Sequence, residues 1–263
     1  MKHTFIKTSL KVIIMLAAIT KALGLSSPPE HHPLMPRQIN LSGNIIYFSM
    51  PENFSRDLPA DDMIESVDLS DKSVYQDYQK FTLIRRWWDF KDSGFFGKEY
   101  GTLMMSLYLK ETSETLSVNT LKPLDFIDII IDDINKTKPV SSKVDPLMEY
   151  SDHFTAYNEA WYNNYRWLTY IQGHVNGDKF TILYAIPISD KQYIVAEFIS
   201  APNNDIGVRG FVDNFTEPFM NNIMDSFKID YADKNPAKQA VLKTEGLTLQ
   251  QLIDDKVKLL EQQ

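Results

Sequence analysis

Apolar and polar positions alternate with period two over three successive runs near the middle of the chain, and nearly everything else can be placed around them. RWLTYIQGHV (Arg166 to Val175), DKFTILYAIPI (Asp178 to Ile188) and QYIVAEFIS (Gln192 to Ser200) follow one another with almost nothing between. Asn176-Gly177 separates the first two, and this pair takes the two positive φ values of a type I′ turn most readily, so it predicts an antiparallel hairpin. Ser189-Asp190-Lys191 is short and polar, which extends the hairpin to a three-stranded meander.

The same reading continues on both sides. NIIYFSM (Asn44 to Met50) predicts a strand ended by Pro51, which has no N–H for a ladder. FTLIRRWWDF (Phe81 to Phe90) and TLMMSLYLKE (Thr102 to Glu111) predict a further strand pair, the second with Leu103, Met105, Leu107 and Leu109 on one apolar face. Thr120 to Asn135 switches to period 3.6: Leu124, Ile127, Ile131 and Ile134 share a face, with Asp125, Asp128, Asp132 and Asp133 on the others. Val208 to Phe227 predicts a second helix with a core stripe of Phe211, Phe215, Phe219, Ile223 and Phe227, kinked at Pro218. FKIDY (Phe227 to Tyr231) adds a short strand, and Thr248 with Gln251 forms a capping box for a last helix to Gln263. The expected fold class is α+β, an antiparallel sheet with flanking helices.

The two ends read differently. Met1 to Lys11 is basic, VIIMLAAIT (Val12 to Thr20) is apolar and Ala22-Leu23-Gly24 offers small residues for cleavage, which together predict a secretory signal over residues 1–24. Nine apolar residues are too few to span a bilayer that needs roughly 20. Residues 25–37, rich in proline, are expected to be a linker, 38–231 the α+β domain and 232–263 a C-terminal helical extension. A periplasmic location follows, with membrane contact only through an uncleaved N-terminal segment.

Charge and composition narrow the chemistry. The net charge is −8, and losing residues 1–24, with four lysines and no acid, would make the body four charges more negative still. Nucleic acid is thereby disfavoured, since its binding relies on Lys and Arg at phosphates. With no cysteine there are no disulfides, thiolate metal sites or cysteine nucleophile. His31-His32 lack the third and fourth ligands of a zinc site. The acids from Asp57 to Asp71 lack the glycine and alternating ligands of a calcium loop. KDSGFFGKEYG lacks the hydroxyl of a phosphate loop and places Glu99 after Lys98. His153 and His174 have no GxSxG or HExxH around them. No catalytic residue, metal or cofactor is therefore expected.

Four segments together carry a family resemblance: IYFSMPENF ending at Phe54, RRWWDFKDSGFFGKEYG (Arg85 to Gly101), SAPNNDIGVRGFVDNF (Ser200 to Phe215) and FMNNIMDSFKI (Phe219 to Ile229). In this order the chain resembles the PsbP-like α/β sandwich. It is also similar to periplasmic proteins of enterobacterial type VI secretion clusters and to the immunity proteins that neutralise type VI lipase effectors. The resemblance implies a non-catalytic protein that binds a cognate toxin effector and blocks it. Effector chaperones and periplasmic ligand-binding proteins of the same fold are the alternatives. Many such proteins are lipoproteins, from which this chain departs by lacking cysteine. For a toxin interface, Trp87, Trp88, Phe95, Phe96 and Tyr100 are the expected aromatic anchors and Asp61, Asp62 and Glu65 the acidic rim, because aromatic side chains dominate interface energies and charges steer encounter.

Overall fold

The computed structural model describes residues 33–52, 55, 58, 60–71, 73, 80–92, 97–112, 118–137, 148–150, 153, 156–174, 179–203, 206–242 and 248–262. Seven strands form the main sheet: β4 (Lys80–Lys91), β5 (Glu99–Glu111), β6 (Met148–Tyr150), β7 (Asn158–Tyr162), β8 (Tyr165–His174), β9 (Phe180–Pro187) and β10 (Gln192–Pro202). Their order is β4-β5-β10-β9-β8, with β6 and β7 pairing to opposite ends of β8, and every pair is antiparallel. The predicted meander is β8, β9 and β10, in the expected pairing. The Asn176-Gly177 turn lies outside the described residues. Between β5 and β6 the chain passes through α1 (Pro123–Thr137), which carries it across the sheet before it walks back strand by strand to pair β10 with β5.

A second sheet was not anticipated. β1 (Leu34–Leu41) and β2 (Asn44–Pro51) form a hairpin, flanked by β3 (Ser66–Val67) and β11 (Lys228–Asp230) in the order β11-β2-β1-β3. Its turn, Ser42-Gly43, has φ of 49° and 89°, the positive pair of a type I′ geometry. β1 begins inside the stretch read as linker. Pro36 is tolerated there because β3 reaches β1 only at Asn40 and Leu41, so at Pro36 the strand has β2 on one side alone.

The two sheets face each other across the larger of two cores. Ile39, Ile46 and Phe48 from the small sheet meet Leu103, Leu107, Trp167 and Phe198 from the large one, all at 1% exposure or less. Helix α2, built of Val208–Phe211, a π-helical turn Val212–Thr216 and Glu217–Met224, closes the end of this core. Four of the five residues of its predicted stripe, Phe211, Phe219, Ile223 and Phe227, are buried. The widened turn ends two residues before Pro218, whose missing N–H could not have met the Asn214 carbonyl one α-turn back. Phe227 stacks on Phe48 at 5.1 Å and meets Trp167 edge-on at 5.4 Å, so one ring joins both sheets.

On its other face the large sheet is covered by α1 and α4 (Leu249–Glu261), over a second core of Tyr108, Phe126, Ile130, Tyr170, Leu183, Tyr193 and Ile253. This explains why β5 is buried on both faces instead of one. α4 has the predicted capping box, with Thr248 and Gln251 bonding reciprocally. It is preceded by the short α3 (Ala237–Val241), whose Ala237 and Val241 are buried in the first core, so the C-terminal segment is part of the folded body.

Candidate functional site

β4 is the outermost strand of the large sheet, and a bare edge of that length would offer unpaired backbone groups to another chain. The acidic segment covers it. Ser55 donates its backbone N–H to the Trp87 carbonyl (2.7 Å), Asp61 bridges to Arg85, and Ile64 donates to the Leu83 carbonyl (2.8 Å). Leu83 is the extra residue of a β-bulge between Thr82 and Ile84. The Glu65 carbonyl then accepts from the Asn40 N–H (2.9 Å), and the chain enters β3. The segment is thus pinned by its backbone at both sheets; Met63 and Ile64 pack against the first core, and Asp62 and Glu65 face outward.

Two arginines set the electrostatics of this edge. Arg85 Nε lies 3.6 Å from the Asp61 carboxylate. Arg86, on the opposite face of β4, donates to the carbonyl oxygens of Asp61 and, at 2.7 Å, of Arg85. Burial, then the charge of Arg37, lowers the Arg86 pKa, while Asp62 and Asp61 oppose the shift. Asp61 is half-buried, whereas Asp62 and Glu65 are exposed.

The aromatic residues divide. Trp87 is half-buried on this edge; its indole Nε1 and the Ser55 hydroxyl are buried without a hydrogen-bond partner. Trp88 corrects the expectation: at 0% exposure it sits edge-on to Phe219 at 5.2 Å in the core, and has no surface to offer a partner. Tyr100 is half-buried at the end of the β4–β5 hairpin, stacked on Phe215, with its hydroxyl donating to Asp92 Oδ1 at 3.0 Å. That bond to a carboxylate raises the Tyr100 pKa. Next to it Gly101 has φ +149°, and a Cβ there would stand 2.5 Å from the Ala201 carbonyl, so only glycine lets β5 and β10 approach at this point. Phe95 and Phe96 lie outside the described residues.

Asp61, Asp62, Glu65 and Trp87 therefore lie along the β4 edge, and Tyr100 lies beyond its far end at the β4–β5 hairpin. From Arg85, which bridges Asp61, to Phe90, which pairs with Gly101, β4 advances five residues, or ~17 Å.

A cluster that the sequence reading missed lies on the helix-covered face. Lys80 and Lys110 are directly opposite on β4 and β5. Lys80 Nζ is 3.7 Å from Glu197 Oε2 and 3.7 Å above the Tyr108 ring, and Lys110 pairs with Asp133 of α1. Burial lowers the Lys80 pKa, opposed by Glu197, and burial raises those of Tyr108, Tyr170 and Tyr193 well above the ordinary tyrosine value. Each lysine has a carboxylate of its own: Lys110–Asp133 ties α1 to the sheet, and Lys80–Glu197 joins β4 to β10 within it. Its members are far apart in sequence, and only the register of β4, β5 and β10 brings them together.

Among the described residues no group of three or more His, Cys, Asp and Glu is placed to hold a metal, and no helix is long and apolar enough to cross a membrane. No family model, curated protein or solved structure matches the chain.

Proposed function

We propose that this chain is a periplasmic immunity protein that binds and neutralises a toxin effector delivered by type VI secretion, a lipase being the leading candidate, and that the β4 edge is its binding surface. The observation that supports the reading is that exposed Asp62 and Glu65 and half-buried Trp87 lie along the β4 edge, although they come from separate stretches of sequence. Half-exposed aromatic rings beside the exposed carboxylates of Asp62 and Glu65 are what an interface with a basic protein uses: the rings supply burial and the acids steer encounter. A rim of this length accommodates an interface of ordinary size, roughly 1,200 to 2,000 Å² in total. The secretory character of residues 1–24 and the resemblance to the PsbP-like sandwich support the same reading. Activity of the toxin would be blocked by occlusion, with no chemistry on this chain.

A periplasmic rescue assay tests this. The chain is expressed with and without residues 1–24 beside the toxin candidate encoded next to it, and survival and complex formation are scored. Survival only with residues 1–24, together with a stable complex, is the expected result. Absence of both rescue and complex in either form overturns the immunity reading. Rescue that is unchanged by Asp62→Lys with Glu65→Lys moves the interface away from the β4 edge.

A further inference from the structure

Three sheet edges of this fold are guarded, each by a different device. Backbone bonds from Ser55 and Ile64 cover β4, and β1 has Pro36 on its open side. At β11 the β7–β8 turn supplies the donors: Asn163 Nδ2 bonds the Phe227 carbonyl at 2.9 Å and the Tyr165 hydroxyl bonds the Ile229 carbonyl at 2.8 Å.

β7, at the end of the large sheet away from β4, is different. It joins β8 through the two-residue turn Asn163-Asn164, so the flanking pair Tyr162–Tyr165 exchanges both backbone bonds and the pattern alternates from there. Asn158, Ala160 and Tyr162 therefore direct their N–H and C=O groups to β8, and Glu159 and Trp161 direct theirs away from the sheet. Among the described residues no hydrogen bond reaches those outward groups. The strand has no proline, lysine or bulge to protect it.

Its sequence suits a second copy of itself. A two-fold axis through Ala160 sets Glu159 opposite Trp161 of the second copy, and Trp161 opposite Glu159 of the second copy, so every outward backbone group finds a partner. Ala160 then faces its own counterpart at a position without hydrogen bonds, where side chains come closest, and it is the smallest residue of the strand. The chain carries a net charge of −8, yet this pairing brings no unmet like charges together. Asn158, Ala160, Trp161 and Tyr162 are uncharged, and Glu159 is held 3.7 Å from Arg166 of its own chain at 14% exposure. Trp161, on the same face as Glu159, is 42% exposed and would lay its ring against the stem of Glu159 in the second copy.

We propose that β7 is a self-association edge, through which two copies of the chain pair about Ala160 into one continuous sheet. The dimer leaves a β4 edge at each far end, so it stands or falls independently of the immunity reading. Five-residue strands and one indole bury less than the roughly 1,200 Å² of a standard interface, so the dimer forms with a Kd on the order of 10–100 μM.

The test is sedimentation of the full folded chain at concentrations from tenfold below to tenfold above that Kd, with amide exchange of β7 read at both ends. A monomer–dimer equilibrium is expected, with the Glu159 and Trp161 amides slowed in the dimer. Trp161→Asp sets a carboxylate opposite Glu159 of the second copy and beside Arg166 of its own chain. It should weaken the dimer at least tenfold and leave the urea midpoint of dilute protein near that of the parent. The chain has no cysteine, so Ala160→Cys reports the register alone. A Cα separation of ~4.5 Å suits a disulfide, and oxidation should give a covalent dimer that Lys228→Cys does not. Monomer at every concentration overturns the proposal and leaves the edge to an extended segment of another protein. A dimer that Trp161→Asp leaves intact, or that Ala160→Cys fails to link, overturns it as well.

Discussion

Tyr100 stacks on Phe215 with ring centroids 4.5 Å apart and planes 25° from parallel, so the aromatic end of the β4 edge is braced by the helix that closes the core. A ring held this way loses little side-chain entropy when a partner covers it, which suits an interface anchor. Tyr100→Ala should weaken the toxin complex at least tenfold with little effect on the urea midpoint. Tyr100→Phe keeps the stack and loses only the bond to Asp92, and should bind nearly as the parent does. Equal affinity of the alanine variant in a binding titration would remove Tyr100 from the interface.

The adjacent tryptophans should behave in opposite ways. Trp88→Ala empties a fully buried site against Phe219 and should cost about 3–5 kcal/mol in denaturant unfolding. Trp87→Ala removes a half-buried ring whose Nε1 has no partner, and should cost no more than about 1–2 kcal/mol. Toxin affinity is expected to rank them the other way, with Trp87→Ala the damaging change once both are compared in folded protein.

Stability should fall in alkali. Tyr108, Tyr170 and Tyr193 have folded-state pKa values raised by burial above their unfolded value of about 10. A tyrosine raised in this way favours its protonated form in the folded state. Its contribution is complete below about pH 10 and is lost as pH rises toward the folded value, because the unfolded chain gives up the proton first. Phenolate absorbance should therefore show exposed tyrosines ionising near pH 10 and a second group appearing together with unfolding. Smooth titration of all tyrosines near pH 10 in folded protein would contradict the burial of this cluster.

Glu159 links the C-terminal helix to the large sheet. Glu159→Ala leaves the first N–H of α4 without its acceptor and Arg166 without its carboxylate, and should cost about 1–3 kcal/mol. Glu159→Gln, which still accepts from Leu249, should cost less. Hydrogen exchange should show the loss first in the α4 amides, and a uniform loss across the sheet would mean that α4 is not held here.

Local patterns were readable where they decided local structure. The meander followed from period two, α1 from its isoleucine spacing, and the α4 cap from Thr248 and Gln251. What failed to show was long-range. β1 was hidden by Pro33 and Pro36, which read as linker because the open side of the strand at Pro36 is a property of the assembled sheet. The β7–β8 turn at Asn163-Asn164, with φ of 49° and 65°, lacks the glycine that usually marks such a turn. The inward and outward tryptophans could not be separated from RRWW, because the bulge at Leu83 shifts the alternation: Leu83 and Ile84 are both buried, and Trp88 follows the face of Ile84. The acids Asp61, Asp62 and Glu65 were visible as a run, but Arg85 and Arg86 are set against Asp61 by the edge pairing of β4 alone.

The most direct measurement is hydrogen exchange of the chain alone and in complex with the toxin encoded beside it. The account predicts slowed exchange confined to residues 60–65, the outer end of β4 and the Tyr100 turn, and loss of that footprint with Asp62→Lys and Glu65→Lys. A stable complex that leaves these amides unchanged and protects another face would contradict it.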